Sequence, residues 1–416
     1  MLDDPVDVHA PGFDGMLLLG ISDKDALVQF GRANAIDYVA LSFTRTPDDV
    51  TEARAYLDSV GLEGAKIIAK IENKEGLVNF LEIANAADAI ILSRGSMGNC
   101  LDPEKMFLAQ KMLLSCNYAG RPVFVTRVVD TMTDAPRPTR RAARAAPAEA
   151  TDVANLVLDG ADGIVLGSET FRGKFPVASA ETVVAIARQA EHSYDSYRYY
   201  QYVTERMGLN TLETVMHDKT EALATAAVRA ATKLRAALII VFTVTGRTAR
   251  LIAKYRPGQP ILTMVMPAGW TPNKPLASAD DYQSASHLAA AAATDAAGGG
   301  ISEAVAAAAR QCLHYRGVLP VAAGGGARGA LAGDSAALHE ALRVAHERGL
   351  TRPGDRVVVS QCPRVHQKHA DTMQERGVVK ILTLGADGVA TRVANAVLDK
   401  AGHVVGSVEE DETDLV

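Results

Sequence analysis

From Ile21 to about Ala190 the chain repeats one pattern: a short apolar run, a polar or glycine-containing turn, then a stretch with apolar residues at helical spacing. The apolar runs DYVALSF (37–43), AKIIAK (65–70), AIILS (89–93), RPVFVT (121–126) and GIVLGS (163–168) read as strands. Helices are predicted between them near 47–59, 74–86, 103–116, 150–160 and 178–192, with an earlier one opening at Ser22, which can cap with Asp25 three positions on. Alternation of this kind implies a parallel sheet with helical crossovers. Two architectures satisfy it, an open doubly wound sheet and part of a (β/α)8 barrel, and both place function at the C-terminal ends of the strands.

After residue 192 the character changes. The polar, tyrosine-rich SYDSYRYYQYVTER reads as a linker helix over 193–210, and a second α/β unit is expected over 211–416. It holds an alanine-rich helix (218–235), a strand AALIIVFT (236–243), the turn TVTGRTA, another helix and a strand PILTMVMP (260–267). The Ala/Gly-rich stretches 284–308 and 322–334 read as surface insertions without a packed role, and residues 1–20 as an N-terminal extension.

A chain of 416 residues exceeds what one core usually serves, so two or more domains are expected. Aromatic residues are only 5% while alanine is prominent, which favours closely packed helices over an aromatic-rich sandwich. A net charge of −6 and the lack of a long basic block disfavour nucleic acid as a partner. Cys100, Cys116, Cys312 and Cys362 lack zinc or redox-dithiol spacing and read as reduced thiols. With neither a signal-peptide pattern nor a membrane-spanning apolar run, a soluble, cytoplasmic protein is expected. Cys362, His366 and His369 in QCPRVHQKH invite a metal reading, but a polar solvated loop is the preferred one.

The candidate chemistry gathers at strand ends. The strand ending in AKIENKEG puts Lys70 and Glu72 on one face, because side chains alternate along a strand. The next strand runs into Arg94-Gly95-Ser96-Met97-Gly98, and a further one ends at Thr126. A lysine for developing negative charge, a carboxylate for a metal, a hydroxyl for proton handling and glycine N–H groups for an anion suit phosphoryl transfer. A surface ion pair beside an ordinary loop is the competing reading from these residues alone.

The run from ISDKDAL to FRGKFP resembles the pyruvate kinase family, as do TGRTARLIAKYRPGQPIL and HYRGVLP in the second unit. The motifs include DYVALSF, IIAKIENKEGL, SRGSMG, EKMFLAQKM, CNYAGRPV, PRPTR and EATDVANLVLDGADGIVLGSET, and their wording is closest to plant and algal cytosolic members. The resemblance spans roughly Ile21 to Thr383. It implies the last five strands of a (β/α)8 TIM barrel over 21–192, without the family's lid domain, followed by a C-terminal α/β domain of pyruvate kinase type.

The resemblance also implies roles. Lys70 would stabilise charge on the transferring phosphoryl group and the enolate, Glu72 would hold the divalent metal (Mg2+ or Mn2+), and Arg94, Gly95, Ser96 and Met97 would line the substrate site. Thr126 would support the substrate or the water that protonates enolpyruvate. The substrates would be phosphoenolpyruvate and ADP, giving pyruvate and ATP. Thr243, Thr245, Gly246, Arg247 and Thr248 match a turn that holds a sugar-phosphate effector in regulated members, and such turns also form anion nests. A K+ requirement follows from the family, although its ligands there fall largely in the region the resemblance does not cover. Assembly as a homo-oligomer, or as a subunit of a larger complex, is expected.

Three departures temper the implied activity. Ser96 stands where most members carry an aspartate, the second carboxylate on the metal. The resemblance starts just before the helix that follows the lid, so three barrel strands are unmatched, and a five-stranded arc exposes sheet edges that proteins normally cover. RAARAAP (141–147) is an apparent insertion carrying Arg141 and Arg144, read as a longer surface loop. A catalytically impaired subunit with a structural role is therefore the alternative to an active enzyme, and a sugar-phosphate sensor built on the second unit is a third reading.

Overall fold

The computed structural model describes residues 19–136, 148–209, 219–267, 301–323, 334–361, 378–385, 390–398 and 404–409. The chain forms two compact units, Met1–Phe107 and Leu108–Val416, so the sequence-based division at 192–211 falls inside the second. His366, His369, Arg141 and Arg144 lie outside the described residues, as does the environment of Cys362.

The first unit carries parallel strands β1 (Tyr38–Leu41), β2 (Lys66–Ile71) and β3 (Ala89–Leu92), with β2 paired to both others. Every residue of β3 is buried, and Ile67, Ile68, Ala69 and Ile71 of β2 are too. Parallel strands covered on both faces read as continuous apolar runs, which is why AIILS was legible. The opening helix α1 (Ile21–Ala26) is capped at Gly20 rather than at the expected Ser22, and the Gly20 N–H donates to Asp23 Oδ2 at 2.9 Å. The predicted Ser22–Asp25 cap is therefore not formed, because Ser22 already lies within the first turn.

Helix α2 (Pro47–Ser59) begins as its sequence dictates. Thr46 caps it, Pro47 occupies the first turn where no N–H is needed, and Asp49 accepts from the N–H groups of Arg45 (2.8 Å) and Thr46 (3.3 Å). Val50, Ala53 and Leu57 form its buried stripe. The helix expected over 74–86 is two, α3 (Lys74–Val78) and α4 (Phe80–Ala86), meeting at Asn79. Asn73 caps α3 by accepting from Gly76 N–H at 2.7 Å. The Arg94 segment, expected as a loop, is a single helical turn, α5 (Arg94–Met97).

In the second unit a parallel pair, β4 (Val123–Thr126) and β5 (Gly163–Val165), is accompanied by helices α6 (Leu113–Tyr118), α7 (Ala148–Leu158), α8 (Ser168–Phe171) and α9 (Pro176–His192). A seven-stranded sheet follows in the order β12-β11-β10-β9-β6-β7-β8. Its strands are β6 (Leu238–Thr243), β7 (Ile261–Val265), β8 (Val318–Ala322), β9 (Arg356–Gln361), β10 (Val378–Leu384), β11 (Ala390–Leu398) and β12 (Val404–Glu409). β9-β6-β7-β8 are parallel, whereas β9-β10-β11-β12 are joined antiparallel.

Alternation along β6 sorts this core into two faces. Ile239 and Val241 pack with helices α10 (Ser196–Leu209), α11 (Lys219–Leu234), α12 (Arg247–Lys254) and α13 (Glu303–Cys312), while Leu238, Ile240 and Phe242 pack with α14 (Asp334–Glu347). Two expectations change here. Tyr200 and Val203 of the supposed linker helix are buried in the first face, so α10 is a core element. The end of the 284–308 stretch begins α13, which buries Val305 and Cys312, because alanine-rich sequence packs a helix closely against a sheet as readily as it forms a surface loop.

Candidate functional site

In the first unit the end of β2 delivers Lys70 and, one residue past the strand, Glu72. Lys70 Nζ lies 3.3 Å from Glu72 Oε1 and donates to Ser42 Oγ at 3.0 Å. Glu72 is 4% exposed, so its charge depends on its partners. Its Oε2 accepts the Phe43 N–H at 2.9 Å and its Oε1 accepts the Ser96 hydroxyl at 3.4 Å.

Three strand ends thus converge on one carboxylate. Phe43 has a left-handed backbone (φ 55°) just after β1, an uncommon conformation for a bulky residue. Gly76 makes room for the same corner, since a Cβ there would meet the Thr44 carbonyl oxygen at 2.4 Å. Ser96 is placed by α5, whose first residue follows the buried Ser93 at the end of β3. Arg94, Gly95 and Ser96 are half-buried and Met97 is fully buried, so Met97 packs while the other three face the accessible side.

The remaining predicted residues lie in the second unit. Thr126 ends β4 with its hydroxyl buried, and Arg127 after it is again left-handed (φ 57°), as Phe43 is after β1. In the turn after β6, Thr243 Oγ1 accepts the Gly246 N–H at 3.0 Å. Gly246 has φ 80°, and a Cβ would stand 2.8 Å from Cys312 Sγ, so both conformation and space call for glycine. Thr243 and Thr248 are buried there, whereas Thr245 and Arg247 are exposed.

The sequence reading missed several participants. Ser42 and Phe43 stood in a quoted strand motif without an assigned part. Glu169, at the start of α8, is fully buried with neither carboxylate oxygen partnered among the described residues. A glutamate shortly after an apolar run that ends in a glycine was the available signal.

Magnesium, which the resemblance implies, fits this donor set only as a lean site. No cluster of three or more His, Cys, Asp or Glu suited to a metal occurs among the described residues. Mg2+ does not need one, because it keeps several waters and is often bound through one or two carboxylates. Glu72 Oε1 and Ser96 Oγ are hard oxygen donors 3.4 Å apart, near the roughly 2.9 Å separation of neighbouring ligands in an octahedron with bonds of about 2.1 Å. Glu72 and Ser96 are thus the residues able to hold it.

Residues 3–180 match the family described as "Pyruvate kinase, barrel domain", and residues 221–374 match "Pyruvate kinase, alpha/beta domain". "Pyruvate kinase 2, cytosolic" of Oryza sativa subsp. indica is 50% identical over 251 residues, 60% of this chain and 45% of that protein. "Pyruvate kinase, cytosolic isozyme" of Nicotiana tabacum is 37% identical over 365 residues, 86% of this chain and 64% of that protein. A crystal structure of a pyruvate kinase from Cryptosporidium parvum superposes with a TM-score of 0.67 at 30% identity, over 88% of this chain and 63% of that one. The chain therefore spans from under half to just under two thirds of the length of these three relatives.

Proposed function

Because the chain belongs to the pyruvate kinase family, we propose that it transfers a phosphoryl group from phosphoenolpyruvate to ADP, giving pyruvate and ATP. The observation that carries the reading is the Lys70–Glu72 pair, which is held by Ser42, Phe43 and Ser96 at the C-terminal ends of parallel strands. Phosphoryl transfer asks a protein mainly for positioning and charge stabilisation. The Lys70 ammonium neutralises charge on the transferring group and on the enolate that remains, and Thr126 orients the proton source for the enolate carbon. Arg94 and Gly95 position the substrate. Mg2+ or Mn2+, when bound by Glu72 and Ser96, supplies Lewis-acid neutralisation of the substrate oxygens.

The finer architecture belongs to the same proposal: β1 to β5 are the last five strands of a (β/α)8 barrel. Parallel strands are normally covered on both faces. Yet Ala40 in β1 and Val165 in β5 are exposed, in keeping with strands that await barrel neighbours. A homo-oligomer, a cytoplasmic location, a K+ requirement and a sugar phosphate on the Thr243–Thr248 turn extend the reading from the family. No helix among the described residues is long and apolar enough to cross a membrane.

One observation favours a second reading. With Ser96 in place of a carboxylate, Glu72 is the only acidic residue bonded in this cluster among the described residues, which suits a catalytically weak, structural subunit. The test is pyruvate formation from phosphoenolpyruvate and ADP with Mg2+ or Mn2+, using Lys70→Met as the blank. Turnover above that blank supports the enzyme, and its absence in folded protein supports the structural subunit.

A further inference from the structure

Thr126, the residue that orients the proton source, is the last of β4, and the chain leaves it through the left-handed Arg127 (φ 57°). It then passes the buried Val128 and Val129 into a short 3-10 turn, Asp130–Thr133, whose Met132 is buried as well. A residue other than glycine keeps such a backbone only where its surroundings hold it. The hold on this turn therefore bears on where the Thr126 hydroxyl points.

Two contacts supply that hold. Glu149, in the first turn of α7, takes Thr131 with both carboxylate oxygens: Oε1 accepts the Thr131 N–H at 3.0 Å and Oε2 accepts the Thr131 hydroxyl. From another segment, the Lys174 N–H, just past α8, donates to the Thr133 carbonyl at 2.9 Å. The carboxylate supplies the stronger grip, because hydrogen bonds to such an acceptor exceed those between neutral groups.

Favourable charge at a helix N-terminus accounts for an acidic residue at position 149. It does not account for the capture of both Thr131 groups by one side chain. Val153, Leu156 and Val157 are the buried stripe of α7, so the carboxylate is carried by a packed element and not by a loop.

We propose that Glu149 is a positioning residue for the reaction. By holding Thr131 with both carboxylate oxygens it fixes the segment from Arg127 to Thr133 and, through it, the direction of the Thr126 hydroxyl. The inference rests on the phosphoryl-transfer reading, in which Thr126 serves protonation of the enolate. Glu149 therefore acts on that proton step, while binding of phosphoenolpyruvate, which the reading gives to Arg94 and Gly95, is left as it was.

The test compares the full chain with Glu149→Gln and Glu149→Ala, in pyruvate formation and in exchange of the pyruvate methyl protons for deuterium in D2O with Mg2+. In that exchange a methyl C–H bond gives its proton to solvent and a deuteron takes its place, so it reads the proton step without phosphoryl transfer. Glu149→Ala should lower kcat and the exchange rate by about tenfold or more, with KM for phosphoenolpyruvate kept within about twofold. Glu149→Gln, which keeps an acceptor for the Thr131 N–H, should recover part of the loss. Added to Thr126→Val, Glu149→Ala should cost nothing further, because residues that act as a unit are not additive. Amide deuterium uptake over residues 127–133 should rise in Glu149→Ala while that of β6 stays unchanged. Unchanged kcat in folded Glu149→Ala, or a loss that adds in full to that of Thr126→Val, would overturn the proposal. Wild type without turnover or methyl exchange would instead overturn the phosphoryl-transfer reading, and the uptake would still decide whether Glu149 holds the turn. A turn equally protected in Glu149→Ala would overturn the proposal in either case.

Discussion

Replacing Ser96 by aspartate tests the reading of the β2–β3 corner directly. The Ser96 hydroxyl lies 3.4 Å from Glu72 Oε1, so an aspartate there brings a second carboxylate to about the same distance. Two like charges about 4 Å apart repel by about 1 kcal/mol in water and about 4 kcal/mol at an effective dielectric of about 20. Glu72 is buried and Ser96 half-buried, which argues for an intermediate value, and Lys70 at 3.3 Å offsets part of it. Ser96→Asp should thus destabilise the metal-free protein by about 2 kcal/mol. A divalent cation relieves that repulsion, so the variant should bind Mg2+ about 30-fold more tightly than wild type, about 1.4 kcal/mol being worth a factor of ten. The assay is thermal unfolding by circular dichroism in chelator and across a Mg2+ titration, with Ser96→Asn as the neutral control. The variant should melt lower in chelator and recover more steeply with Mg2+, because a ligand of the folded state stabilises it in proportion to its affinity. Equal melting in chelator together with an unchanged Mg2+ response would refute the closeness of residues 72 and 96 on which the site rests.

Other outcomes follow from single contacts. Gly76→Ala forces a Cβ toward the Thr44 carbonyl oxygen, 2.4 Å away. It should cost about 1–3 kcal/mol in denaturant unfolding and lower any phosphotransfer, since Thr44 follows Phe43. Glu221→Gln leaves the buried Lys254 ammonium without its ion-pair partner, and urea unfolding should show a loss of about 3 kcal/mol. Burial lowers the His339 pKa below 6.5, so below that pH the unfolded chain takes up a proton that the folded chain resists. Stability should therefore fall as pH drops from 6.5 toward the folded-state pKa, and His339→Gln should flatten that part of the profile.

The strands were legible where burial on both faces writes a continuous apolar run, as in AKIIAK, AIILS and LIIVFT, and α2 was legible from its Thr-Pro-Asp-Asp start. The antiparallel strands β10 to β12 were not, because pairing direction is decided by the partner strand and leaves little trace in the segment itself. Lys70 and Glu72 could be placed on one face from strand periodicity. The partners that fix them could not: Ser42 and Phe43 stand 28 and 29 residues away in sequence. Phe43 also occupies a left-handed conformation that its residue type disfavours. Propensity gives no warning of such a position, since tertiary contacts impose it.

The same reasoning bears on what Ser96 can mean. A serine hydroxyl within hydrogen-bond reach of a buried glutamate is a self-consistent arrangement without any metal, because Lys70, Phe43 and Ser96 together occupy both carboxylate oxygens. An aspartate at position 96 would lack that consistency, since two carboxylates beside one lysine repel each other until a proton or a cation is taken up. The serine therefore lessens the dependence of the corner's own folding on a divalent cation, while leaving the phosphoryl-facing lysine in place. Retention of the lysine together with weaker demand for the metal predicts a protein whose stability is nearly indifferent to Mg2+ even where its chemistry requires the ion. Wild-type melting that rose strongly with Mg2+ in the absence of substrate would contradict this separation of folding from catalysis.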